Sequence, residues 1–100
     1  MIKLICALKD VKAEMFLAPV CVPTLAVMYR DLRDAARGDT PIAKYPSDFE
    51  VYQLGVFDDE TGVLSTAGFP ARLCSCNVFV DSGVPEGVAL NRDLPLESLN

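Results

Sequence analysis

The 100-residue chain contains no histidine and no tryptophan. It therefore lacks the commonest general base and the commonest metal ligand. Basic residues are few: nine Lys and Arg stand against fourteen Asp and Glu, for a net charge of −5. That balance argues against tight, indiscriminate binding to a phosphate backbone. Long apolar runs are missing too. Met15 to Tyr29 carries no charge, but Pro19 and Pro23 divide it, and no segment approaches the roughly 18–20 residues of a membrane span. The run from Leu4 to Leu8 stops at Lys9 and Asp10, too short for a signal peptide. A soluble, intracellular protein without a membrane partner is expected. The chain has no nucleotide-cradling G-x-x-x-x-G-K-[ST] or G-x-G-x-x-G and no G-x-S-x-G elbow. With no histidine to activate a Ser or Cys, no catalytic residue, no cofactor and no enzyme activity are expected.

What is present suits one globular domain. Apolar residues make up 51% of the chain, too many for disorder. A chain of this size buries roughly 65% of its unfolded surface, enough for a small core. Residues 1–80 are expected to form one domain, and residues 81–100, with closely spaced Gly and Pro, a loosely held tail. The charge is uneven. Residues 1–50 hold seven basic and seven acidic side chains, whereas residues 51–100 hold two and seven.

Residues 2–9 alternate Ile2, Leu4, Cys6, Leu8 against Lys3, Ile5, Ala7, Lys9, the pattern of a mostly buried strand. Met15 to Val22 is extended in character, and Pro19 restricts it to an edge or a bulge. Thr24 is placed to cap a helix whose apolar stripe is Leu25, Met28, Tyr29, Leu32 and Ala36, with Gly38 placed to end it. Residues 38–48 read as a loop, and Phe49 to Phe57 as a strand. Phe57-Asp-Asp-Glu-Thr-Gly-Val63 signals a hairpin in which Asp58 bonds its own backbone and Gly62 takes a positive φ. Arg72 to Val80 alternates as a last strand or extended arm. The fold class expected is α+β: a small antiparallel sheet of about four to five strands with one main helix on one face, in β-β-α-β-β order with a further C-terminal strand.

Three constellations bear on function. Cys74-Ser-Cys76 with Cys6 and Cys21 offers four thiols, but not the paired C-x₂₋₄-C knuckles of structural zinc, so core packing is the simpler reading and no metal site is assigned. Asp58, Asp59 and Glu60 lack the ligand spacing of an EF-hand and suit a solvated hairpin tip. The basic residues Lys12, Arg30, Arg33, Arg37 and Lys44 are the candidate nucleic-acid contacts, with Tyr29, Tyr45, Phe49 and Tyr52 as stacking faces. Asp31 and Asp34 intersperse the helical arginines, as on an ordinary solvated face.

A set of motifs resembles a known family. Asp10-x-Lys12-Ala13-Glu14-x-Phe16 is followed by Pro19, Ala26-x-x-x-Arg30-Asp31-Leu32, Tyr45-Pro46-x-Asp48-Phe49 and Leu54-Gly55-x-Phe57-Asp58-Asp59-x-Thr61-Gly62. In this order and spacing they resemble the small nonstructural protein of gokushovirus-type microviruses, tailless phages with single-stranded circular DNA. The likeness covers somewhat over half the chain. It makes Asp10, Lys12, Ala13, Phe16, Pro19, Pro46, Asp48, Phe49, Gly55, Phe57, Asp58 and Gly62 family-like positions and brings no catalytic assignment. Val20 stands where the family often has an aromatic, and the region after Phe69 finds no clear counterpart. The resemblance implies a non-enzymatic protein of the host cytoplasm, acting in viral DNA replication or in the switch to single-stranded genome synthesis and packaging. Its partners would be phage or host replication and packaging proteins, with single-stranded DNA as a further ligand. Two rival readings are a virion or scaffold component and a small Cys-based metal-binding module. A short sheet with open edges can also pair as a homodimer, although nothing in the sequence demands it.

Overall fold

The computed structural model describes residues 1–80; the expected tail, residues 81–100, lies outside the described residues. Six strands form one antiparallel sheet: β1 (Ile2–Asp10), β2 (Met15–Phe16), β3 (Val20–Val22), β4 (Phe49–Asp58), β5 (Leu64–Ser65) and β6 (Ala71–Ser75). The long strands β1 and β4 pair at the centre, from Ile2↔Asp58 to Asp10↔Phe49, with a bulge beside Ile5 and Cys6. Each outer lane is built from two short pieces. β2 and β3 both pair with β1, and β5 and β6 both pair with β4. The fold is α+β with one main helix, as the sequence implies.

Helix α1 (Leu25–Arg37) starts where Thr24 accepts the Val27 N–H at 3.3 Å. Met28, Tyr29 and Leu32 face inward, and the burial of Met28 and of Leu32 stabilises the fold by about 1.5–3 kcal/mol each. They meet Cys6, Val22, Phe49, Val51, Cys74, Cys76 and Phe79 in the core, with Leu4 and Leu8 packed against it. The helix thus covers the sheet face that carries Leu4, Cys6 and Leu8.

Several expectations need correction. The extended stretch from Met15 to Val22 is two strands, not one, separated at Leu17–Pro19; Pro19 does sit on an edge lane. Residues 38–48 are not a plain loop. They contain the short helix α2 (Pro41–Lys44) and a 3₁₀ turn (Pro46–Asp48). Thr40 is the reason: its hydroxyl donates to the Ala35 carbonyl at 2.6 Å and accepts the Ala43 N–H at 3.1 Å, closing one helix and capping the next. Gly38 does end α1, as expected, and does so in an extended conformation (φ −100°). Arg72 to Val80 is not a continuous strand either. β6 stops at Ser75, whose hydroxyl accepts the Asn77 N–H at 3.1 Å. A 3₁₀ turn over Cys76–Phe79 follows and carries Cys76 and Phe79 into the core, where the Phe79 ring lies 5.4 Å from that of Tyr29.

The turns follow their sequence signals closely. Asp10 accepts the backbone N–H groups of Lys12 and Ala13 at 3.0 and 3.1 Å, which accounts for the aspartate of the Asp10-x-Lys12-Ala13 motif. At the β4–β5 hairpin Asp58 accepts the Glu60 N–H at 2.9 Å, and Gly62 takes φ 80°. Gly55 has a different role. A Cβ there would lie 2.5 Å from the Ser65 carbonyl oxygen, so its absence lets the chain at Ser65–Thr66 pass close to β4.

Candidate functional site

The basic residues singled out from the sequence are spread over three elements. Arg30, Arg33 and Arg37 lie along α1, Lys44 ends α2, and Lys12 lies in the β1–β2 turn. Acids interleave with them: Arg30 lies 3.7 Å from Asp31, Arg37 3.9 Å from Asp34, and Lys44 3.8 Å from Asp39. Exposed pairs of this kind add little stability, but each carboxylate offsets part of the field a phosphate would feel. The stacking candidates also separate. Tyr29 and Phe49 belong to the core, whereas Tyr45 is exposed and Tyr52 faces away from α1.

The second face of the sheet assembles chemistry that the sequence scatters. Because side chains alternate along a strand, Lys3, Ile5, Ala7 and Lys9 of β1 point away from the core residues Leu4, Cys6 and Leu8. Register then assigns their neighbours: Phe57 beside Lys3, Gly55 beside Ile5, Tyr52 beside Ala7, and Glu50 and Phe16 flanking Lys9. Arg72 pairs with Tyr52 across the other lane. The Phe16 and Tyr52 rings meet edge to face at 5.1 Å and 82°. The Lys9 ammonium lies 5.7 Å from the Phe16 centroid and 6.0 Å from that of Tyr52, within cation–π range. Arg72 closes the cluster with a 3.1 Å contact to Glu50, and the Tyr52 hydroxyl is 3.5 Å from the same carboxylate. No described helix packs on this face. Lys9, Phe16, Tyr52 and Arg72 as a group escape a reading along the chain, because they lie on four strands. The alternation of residues 2–9 already separated Lys3 and Lys9 from the core, but the strand register was needed to bring the rings to them.

The acidic hairpin tip holds the chain's own N-terminus. The Met1 ammonium lies 2.8 Å from Asp59, 3.3 Å from Glu60 and 4.0 Å from Asp58, and Lys3 lies 3.5 Å from Asp59. The Asp59 N–H donates back to the Met1 carbonyl at 3.1 Å. The ammonium's hydrogen bond holds the Asp59 carboxyl below its ordinary range, while the Glu60 N–H does most to hold Asp58 down. In turn Asp59 raises the pKa of the ammonium.

Cys6, Cys74 and Cys76 are buried and Cys21 is exposed. Burial pushes the thiols of Cys6 and Cys74 up to about 11 and that of Cys76 up to about 12, so at neutral pH these three are protonated packing groups. Among the described residues, no group of three or more His, Cys, Asp or Glu is placed to hold a metal ion. No described helix is long and apolar enough to cross a membrane.

Together the fold and its surfaces define a small α+β domain with one sheet face packed by a helix and the other bearing cations and aromatic rings. The family model for the Phage ORF5 protein matches residues 3–79, and the chain belongs to that phage protein family. The match reaches further than the motif resemblance: it takes in β6 and the Cys76–Phe79 turn, so residues 70–79 do have a counterpart in the family, while the match ends before the tail. No curated protein and no solved structure matches the chain.

Proposed function

We propose that this phage protein is a non-enzymatic nonstructural protein of the gokushovirus-type microvirus kind. It acts in the host cytoplasm during viral DNA replication, or at the switch to single-stranded genome synthesis and packaging. It works through contacts with phage or host replication and packaging proteins, and with single-stranded DNA. One observation carries the reading: among the described residues no helix packs on the second sheet face, which holds Lys9, Phe16, Tyr52 and Arg72 together. Such a surface suits binding, and the protonated, buried thiols of Cys6, Cys74 and Cys76 are poorly suited to nucleophilic chemistry.

The test is affinity capture from infected host cells, with and without nuclease, using a tag placed away from Met1, whose ammonium is bonded to Asp59. The expected result is co-purification of replication or packaging proteins, part of it surviving nuclease. Capture of nothing beyond a mock purification contradicts the proposal. So does finding the protein as a stoichiometric component of purified particles, which would make it a virion or scaffold component.

A further inference from the structure

We infer that single-stranded DNA binds on the open sheet face, its bases stacked on Phe16 and Tyr52 and its phosphates drawn to Lys9 and Arg72, and not along the arginines of α1. This rests on the reading that the protein binds single-stranded DNA, and it adds where and how.

Three observations separate the two surfaces. The first is charge. The open face presents Lys3, Lys9 and Arg72, with Glu50 beside Arg72 and Asp59 of the hairpin tip 3.5 Å from Lys3, on a chain whose net charge is −5. The arginines of α1 instead alternate with Asp31 and Asp34. The second is the state of the cations. Lys9 has ring partners, Phe16 and Tyr52, and no ion pair among the described residues, so its ammonium can take a phosphate without breaking an existing salt bridge. Arg72 is itself paired with Glu50 at 3.1 Å, as Arg30 and Arg37 are with Asp31 and Asp34, so Lys9 is the cation that sets the open face apart. The third is the aromatic surface. Phe16 is 39% exposed and packs edge-on to Tyr52. On α1 the aromatic residue is Tyr29, which is 0% exposed and cannot reach a base. Stacking on side-chain rings needs base faces that a duplex keeps hidden, so this surface selects single strands. Ala7, opposite Tyr52, is small, leaving the rings as the features a base would meet at this end of the face.

The test is fluorescence anisotropy with labelled oligothymidylate and a matched duplex at low ionic strength. The proteins compared are the unaltered chain, Phe16→Ala, Tyr52→Leu, Lys9→Gln and the triple change Arg30→Gln, Arg33→Gln, Arg37→Gln. Thermal melts accompany each variant. Tyr52→Leu keeps an apolar side chain over Ala7, so it separates stacking from folding even if Phe16→Ala does not fold. The unaltered protein should prefer the single strand. Folded Phe16 or Tyr52 variants should bind roughly ten-fold more weakly or worse, and Lys9→Gln should lower the salt slope by about 0.7. Unchanged binding by folded Tyr52→Leu and Lys9→Gln, with loss in the α1 triple variant, overturns the placement and leaves the wider reading standing. No binding of either DNA by the unaltered protein removes the DNA part of that reading altogether.

Discussion

Tyr29 shows how a single polar atom can stand apart from an otherwise consistent core. Its side chain is fully buried, and its hydroxyl has no hydrogen-bond partner among the described residues. Burial, with the nearby Cys74 and Cys6 thiols, pushes its pKa up to about 12. An unmet buried hydroxyl costs stability, so removing it should relieve that cost. Tyr29→Phe keeps the ring against Phe79 and should be as stable as the unaltered protein or up to about 1 kcal/mol more stable, read from the urea midpoint. A clear loss would reveal a partner for the hydroxyl. The cysteines give a second check at this scale. Under native conditions a thiol reagent should modify Cys21 promptly and leave Cys6, Cys74 and Cys76 unmodified until the protein is unfolded, as followed by mass spectrometry.

At the scale of elements, the close passage of the chain over β4 depends on one missing methyl group. Gly55→Ala would place a Cβ against the backbone carbonyl of Ser65, which cannot swing aside as a side chain tip would. A loss of about 1–3 kcal/mol is expected, measurable by thermal or urea denaturation, together with increased amide exchange at Leu64 and Ser65. Much of this layer was legible in the sequence. The 3.6-residue stripe from Leu25 to Ala36 placed α1, the Asp58–Gly62 signal placed the hairpin, and the alternation from Ile2 to Lys9 placed β1. Other pieces were hidden for physical reasons. Helix α2 is a single turn and too short for a periodicity; only Thr40 followed by Pro41 hinted at its start. The strand expected through Val80 breaks at Ser75 because that hydroxyl bonds to the Asn77 N–H and because Phe79 is drawn to Tyr29, a contact that alternation alone does not reveal. The open-face cluster was hidden for a related reason: Lys9, Phe16, Tyr52 and Arg72 become neighbours only through pairing register.

At the scale of the whole molecule, charge is arranged more than its sum suggests. The acidic hairpin tip is partly neutralised by the Met1 ammonium and Lys3, so some of the net −5 is answered internally. This clamp should show in the pH profile. Asp58 and Asp59 are held below the ordinary 3.8 of an aspartate, so their contribution is present above that pH and is lost as pH falls through their lower folded values. The ammonium is raised above 8.0, so its contribution is present below that pH and is lost as pH rises through its higher folded value. Melting temperature should therefore fall at both extremes. Nα-acetylation should lower stability near neutrality and remove part of the alkaline decline. The buried thiols also titrate at high pH, but they do so equally in both forms, so the difference between the two profiles isolates the clamp. Coincident profiles would contradict it.

The open sheet face, on this reading, is the working surface of the domain. A titration of the isotopically labelled protein with oligothymidylate, followed by amide NMR, tests it residue by residue without altering the chain. Shifts should centre on Lys9, Phe16, Tyr52 and Arg72, with α1 little changed. Shifts concentrated from Arg30 to Arg37, with the four open-face amides unmoved, would contradict it.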